Sequence, residues 1–282
     1  MRPQTLPLKR RLGKTQDLAG KLSLLKDTYQ GEECFILTAG PSLNDYPREY
    51  LRETLKDKLV IAVKQTVKLF PDIVDFHLLN QYNFQRYVTG DATITVMVRF
   101  RGTRTRTPGL HEDLSFYIDP SLATTETSLA ITQDYAAHTL EQTLDRPFGP
   151  GIMHELGIYL PILLGVKTVN VIGWDIGQPN TNEIKRFYEG ESLLKRVQKY
   201  VMHFSPPLYN SVYIKWENRL KLLAFLLGGD VVINNPGIVA GEAKFIAAST
   251  GKLYRWYREI GINMNVISTR SMIDGVVPRR ML

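Results

Sequence analysis

The apolar positions of the chain fall into short runs separated by stretches of helical spacing. From residue 33 onward come "CFILT", "LVIAV", "IVDFHLL", "TITVMV" and "LSFYI", and then, after a less regular stretch, "TVNVIG", "DVVIN" and "MNVIS". These runs are rich in Val and Ile and do not alternate apolar with polar residues, the pattern of strands covered on both faces. Helical spacing falls at about 46–55, 152–164, 191–203, 214–228 and 242–259. Strands of this kind with helices between them predict a doubly wound, Rossmann-like α/β fold around a mostly parallel sheet.

Two regions depart from this alternation. Residues 1–30 carry basic residues and then "LAGKLSLLKDTY", in which Ala19, Leu22, Leu24 and Leu25 share one helical face. This is a leading amphipathic helix, with two readings: it packs on the domain, or it touches a membrane surface. Between 99 and 150, "RFRGTRTRTPG" and "PSLATTETSLAITQDYAAHTLEQTLDRPFGPG" are rich in Thr, Gly and Pro and read as loops, with a short helix near 134–144. The expected organisation is a basic amphipathic segment, 1–30, and one domain, 31–282, with an insertion at about 176–241.

Composition narrows the setting. At 282 residues and 44% hydrophobic content the chain can bury one large core. Its lone cysteine, Cys34, excludes an internal disulfide and fits a reducing, cytoplasmic compartment. No apolar run approaches the roughly 18 residues of a membrane span, and "MRPQTLPLKRRLGK" lacks the apolar stretch of a secretory signal. The expectation is a soluble protein or one peripheral to the inner membrane face. A net charge of +7 favours acidic partners such as nucleotides, anionic glycans or an anionic membrane, without bearing on fold.

The chemistry-bearing residues gather at strand ends. The first strand runs into "TAGPS", where Gly40 permits close approach to the backbone, Pro41 fixes the turn and Ser42 supplies a hydroxyl and a cap. It is neither a Gly-x-Gly-x-x-Gly fingerprint nor a P-loop, and an ordinary turn would use the same residues. The second stretch is "DRPFGPGIMHELGIYLPILLGVKTVNVIGWDIG", residues 145–177. There a Gly-Pro-Gly turn opens a helix, Gly165 ends it, and a strand delivers Gly173, Trp174 and Asp175 to its carboxyl edge. In an open α/β sheet both loops face one crevice, where unpaired backbone N–H groups receive ligands.

These two stretches resemble the family-42 sialyltransferases and the related motility-accessory and capsule glycosyltransferases, over roughly residues 33–270 in order of elements. The resemblance implies a single-domain GT-A-like variant of the fold with a lid in the insertion. It also implies metal-independent, inverting transfer of a nonulosonic acid from a CMP-activated donor to a surface glycan or glycolipid acceptor. Carried over by position, Gly40, Pro41 and Ser42 match the first nucleotide loop, and Asn80 matches an asparagine that contacts the donor. Gly149 and Gly151 fall in the turn that holds the nucleotide, and Gly173 and Asp175 match the strand-end pair near the cytidine ribose. Arg146 sits one residue out of register with a family arginine. Ala39, Lys64 and Pro150 depart from the pattern, and each removes a side-chain contact expected for CMP.

Transfer of this kind passes through an oxocarbenium-like state, so the site needs a base for the acceptor hydroxyl and donors for the departing phosphate. The family's histidine base lies at the start of the last long helix, where this chain has Glu242. A glutamate favoured there by the helix dipole is the other reading. His203, in the lid, is the rival base. Arg146 and the lid tyrosines Tyr188 and Tyr209 are candidates for the phosphate. "RFRGTRTRT" reads as a solvated loop or a contact for an acidic acceptor; with Phe100 as its single aromatic it does not read as a nucleic-acid site. No Asp-x-Asp, zinc-type His/Cys spacing or Gly-x-Ser-x-Gly occurs, so neither a metal nor a cofactor is expected. Another nucleotide sugar, or a non-catalytic nucleotide-binding protein of glycan assembly, remains open, as does a homo-oligomer. A dehydrogenase is disfavoured because "AVKQ" after the second strand offers no acid to hold a ribose.

Overall fold

In the computed structural model the described residues are 2–80, 86–102, 110–119, 130–147, 149, 151–176, 223, 226–227, 236–268 and 271–282, with backbone alone at 236–245. Seven short apolar runs form strands: β1 (Glu33–Leu37), β2 (Leu59–Val63), β3 (Phe76–Asn80), β4 (Ile94–Phe100), β5 (Leu114–Ile118), β6 (Thr168–Ile172) and β7 (Asn263–Ile267). All neighbouring pairs are parallel, in the order β5-β4-β3-β2-β1-β6-β7. The chain starts in the middle, walks out to β5 and returns to the far side of β1. The order therefore reverses between β1 and β6, and the loops leaving their carboxyl ends diverge there to open a crevice.

Period-two alternation sorts each strand between two cores. Cys34 and Ile36 of β1 enter the larger cluster, which also holds Leu8, Leu25, Leu156, Leu164 and Tyr257. Phe35 and Leu37 enter the smaller one, with Leu51, Leu55, Val67 and Phe70. Both faces are thus covered, as the unbroken apolar runs require. Burial pushes the Cys34 thiol pKa well up, so it behaves as a small apolar side chain.

The N-terminal segment forms two helices, α1 (Thr5–Lys14) and α2 (Leu18–Leu25), where one was expected. Asp17 separates them by capping α2, accepting from the Gly20 amide at 2.6 Å. Leu8, Leu12, Leu22 and Leu25 are buried in the larger core. Thr5 Oγ1 donates to Asp75 at 2.6 Å and Lys9 Nζ to the Thr93 carbonyl at 2.7 Å, fastening α1 to the starts of the strands.

Three further helical expectations are corrected. The short helix near 134–144 is a single 3₁₀ turn, Ala136–His138, because Asp134 accepts from the Ala137 amide at 3.1 Å and competes with the helical ladder. The helix at 152–164 is a π-turn, Met153–Gly157, followed by a short α3 (Leu160–Leu163). Pro161 has no N–H to continue an α-ladder from the π-turn, and the Ile158 amide reaches back to the Met153 carbonyl at 2.9 Å. The last long helix, α4 (Pro236–Glu259), starts ahead of the expected residue 242, at a proline pre-organised for a first helical position. Glu242 consequently lies in its second turn. Apart from residues 223, 226 and 227, the expected helices at 191–203 and 214–228, the strand "DVVIN" and nearly all of the lid lie outside the described residues. No described helix is long and apolar enough to cross a membrane.

Candidate functional site

Three strand exits are fastened together at the switch point. The Thr38 amide donates to the Ile172 carbonyl at 2.8 Å and the Gly40 amide to the Gly173 carbonyl at 2.7 Å. The Ser42 amide donates to Asp175 Oδ2 at 2.7 Å, and the Ser268 hydroxyl donates to Asp175 Oδ1. Asp175, delivered by β6, therefore holds both the turn after β1 and the residue after β7.

This fastening explains both glycines. A Cβ at Gly40 would stand 2.2 Å from the Gly173 carbonyl oxygen and 2.4 Å from Asp175 Oδ2. A Cβ at Gly173, whose φ is +76°, would stand 2.3 Å from the Thr38 carbonyl oxygen. The close approach to the backbone that Gly40 permits is made by the protein's own β6 loop. Pro41 opens a 3₁₀ helix, Pro41–Asp45, and Ser42 behind it is buried with its Oγ lacking a hydrogen-bond partner.

A second set of polar groups stands beside this turn. Gly151, at φ +111°, opens the π-turn, and its carbonyl accepts the amides of His154 at 2.9 Å and Glu155 at 3.1 Å. The Gly149 amide bonds the Glu155 carboxylate, and a Cβ at Gly149 would lie 3.2 Å from both Glu155 Cγ and His154 Cβ. Arg146 donates from Nε to the Glu155 carbonyl at 2.8 Å and from Nη1 to the Thr143 carbonyl at 3.2 Å, while its guanidinium lies 4.7 Å over the Tyr159 ring. The His154 ring is 6.0 Å from Trp174, which sits between the two site residues Gly173 and Asp175.

Burial dominates the electrostatics of this set. It pushes the Glu155 carboxyl up to about 7, against the opposing charges of Lys64 and Arg146. It pulls the His154 imidazole down to about 4 and the Arg146 guanidinium down to about 10. Among the described residues of this set, five buried polar atoms have no partner: Arg146 Nη2, both His154 ring nitrogens, Glu155 Oε2 and the Tyr159 hydroxyl.

Lys64, directly after β2, has φ +53°, a left-handed conformation that is costly for a side chain of its size. His77 Nε2–H donates to its carbonyl at 2.8 Å. The position at which the resemblance expects an asparagine thus carries a half-buried cation whose charge reaches Glu155.

The structure therefore brings together Gly40, Pro41, Ser42, Gly173 and Asp175 at the switch point, with Arg146, Gly149 and Gly151 on the adjoining π-turn side. Asn80 stands at the same carboxyl edge, at the end of β3 with β2 between it and β1. Of Glu242 the helical backbone alone is described, and His203, Tyr188 and Tyr209 lie outside the described residues. His154, Glu155 and Tyr159 were not picked out from the sequence. The signal was present in "GIMHELGIYL", where two ionisable residues interrupt an otherwise apolar helical run. Among the described residues no group of three or more His, Cys, Asp or Glu is placed to hold a metal ion.

No family model matches the sequence, and no curated protein matches it. Among solved structures the chain is similar to the MAf glycosyltransferase from Magnetospirillum magneticum AMB-1, at 14% identity and a TM-score of 0.34, over 77% of this chain and 42% of that one. The chain thus spans less than half the length of that structure.

Proposed function

We propose that the crevice between the β1 and β6 exits binds a nucleotide-activated sugar and that the protein is a glycosyltransferase. The observation that carries this reading is Ser42. Its amide is fixed by Asp175 and its hydroxyl is buried without a partner, at the point where the strand order reverses. An open parallel sheet receives ligands at that point, and a buried hydroxyl without a partner is a cost that a bound group removes.

The "GPSL" and "GWDIG" resemblance supports a finer form: a CMP-linked nonulosonic acid donor, inverting transfer without a metal, and a surface glycan as acceptor. In that form the acceptor hydroxyl loses its proton to Glu242, or to His203 if the lid supplies the base. The acceptor oxygen bonds the anomeric carbon, and the bond to the CMP phosphate breaks with its electron pair going to the phosphate. Arg146 and the lid tyrosine Tyr188 are the candidates for meeting that charge. The departures at Ala39, Lys64 and Pro150 support a second reading, another nucleotide sugar as donor.

The test is incubation with CMP-sialic acid and a lactoside acceptor, following release of CMP and the mass of the acceptor. Transfer supports the full reading. Nucleotide binding with neither transfer nor donor hydrolysis selects a non-catalytic nucleotide-binding protein of glycan assembly.

A further inference from the structure

We propose that the outward face of α1 is a docking surface for an anionic lipid bilayer, held by charge and not by insertion. The inference is independent of the glycosyltransferase reading.

α1 carries two stripes. Thr5, Leu8 and Leu12 face inward and are buried, the two leucines in the larger core. On the opposite side Pro7, Arg10, Arg11 and Lys14 recur at i, i+3, i+4 and i+7, and all are exposed. Among the described residues the side chains of Arg10, Arg11 and Lys14 make no hydrogen bond or ion pair. The other cations of this segment are committed: Arg2 bonds Glu32 and the Asp57 carbonyl, and Lys9 bonds the Thr93 carbonyl and faces Asp113. Residues 1–14 contain no acid, and Asp17, the first acid beyond them, accepts the Gly20 amide.

The buried stripe decides the mode of docking. An interfacial helix lays its apolar face among the lipid chains. Here Leu8 and Leu12 are 3% and 0% exposed and Thr5 Oγ1 bonds Asp75 at 2.6 Å, so turning that face outward would open the core. A fixed row of cations is left for a partner, with Pro7 on the same stripe and half-buried Leu6 beside it. The negative potential of an anionic bilayer attracts such cations, and its interface also accepts the apolar pair. A soluble polyanion matches the charges alone. The helix is fastened to Asp75, Thr93 and Asp113, which lead into β3, β4 and β5, whereas the crevice opens at the carboxyl ends of the strands. Docking through α1 therefore leaves the crevice uncovered. Arg11 and Lys14 also stand in the last turn, where the helix dipole favours cations. That role alone predicts a lower melting temperature on their removal and no vesicle binding to lose.

The experiment is flotation of the full chain, without nucleotide, on vesicles of phosphatidylcholine and on vesicles of equimolar phosphatidylcholine and phosphatidylglycerol. Binding to the mixed vesicles alone is expected at about 0.1 M salt, and its loss at about 1 M, where the screening length falls to about 3 Å. The triple variant Arg10→Gln, Arg11→Gln, Lys14→Gln is expected to bind about a hundredfold more weakly, at about fivefold for each cation. Its melting temperature is expected to stay within a few degrees of the wild type, since exposed side chains without partners add little stability. A control triple, Arg48→Gln, Arg52→Gln, Lys56→Gln, removes the same charge from the helix Arg48–Leu55, which packs on the smaller core and shares its surface with Glu49 and Glu53. This control is expected to bind as the wild type does. The proposal is overturned if neither vesicle binds, if both bind alike, if the α1 triple binds as the wild type does, or if the control loses as much. It is also overturned if dextran sulfate at equal charge concentration holds the protein as tightly as the mixed vesicles, which would make the partner a soluble polyanion. Because no nucleotide is present, a chain that binds none still tests the docking face.

Discussion

Asp175 accepts the amide N–H of Ser42 at 2.7 Å, so a residue delivered by β6 fixes the turn that follows β1. With the Ser268 hydroxyl on its other oxygen, this one carboxylate ties together three strand exits. Asp175→Ala leaves the buried Ser42 amide without a partner. It is expected to lower stability by about 1–3 kcal/mol in denaturant unfolding and to abolish nucleotide binding. Asp175→Asn, which keeps one carbonyl oxygen, is expected to fall between the variant and the wild type. An Asp175→Ala protein with unchanged stability and affinity contradicts this account of the crevice.

Gly40 is held by close packing. The geometry predicts that even Gly40→Ala destabilises the protein, because its Cβ would stand 2.2 Å from a backbone carbonyl that cannot swing away. The melting temperature is the measurement, and loss of binding at wild-type stability would contradict it.

The buried ionisable groups predict an opposed pH dependence. Native Glu155 keeps a proton between its ordinary 4.5 and about 7 that the unfolded chain has released. Its contribution to stability is therefore full below 4.5 and is lost as pH rises through 7. His77 and His154, pulled from 6.5 down to about 4, act in the other sense: their contribution is present above 6.5 and is lost as pH falls towards 4. Glu155→Gln removes only the first effect. The stability of this variant relative to wild type is expected to rise between about pH 5 and pH 8, by no more than a few kcal/mol. A flat difference across that window contradicts a buried, proton-holding carboxyl.

The sheet was legible in the sequence, and the site only in outline. Seven apolar runs became strands within three residues at each end, because strands covered on both faces must be apolar along their whole length. The "TAGPS" and "GWDIG" turns were legible for a related reason, since small residues mark where backbones approach closely. What the sequence could not show is which backbone approaches Gly40, because the Gly173 carbonyl comes from just beyond β6, whose Ile172 pairs with Leu37 across the sheet, a contact between residues far apart in the chain. Local periodicity likewise read 152–164 as one α-helix, whereas Pro161 and the π-turn divide it and carry His154 and Glu155 into the interior.

The base assignment makes a kinetic prediction. If Glu242 takes the acceptor proton, Glu242→Gln is expected to preserve donor affinity and to lower the transfer rate by about two to four orders of magnitude, with His203→Asn doing much less. The reverse order of effects assigns the base to the lid, and full activity in both variants removes both residues from the chemistry.

The central claim, a nucleotide-sugar site at the β1/β6 switch point, is tested most directly by thermal unfolding of the full chain with CMP, CDP, UDP, GDP and NAD in turn. A ligand that binds only the folded state raises its stability by mass action. CMP is expected to give the largest rise in melting temperature, and Asp175→Ala is expected to abolish it. A larger rise with UDP would move the donor class, whereas no rise with any nucleotide at concentrations up to millimolar would contradict the claim itself.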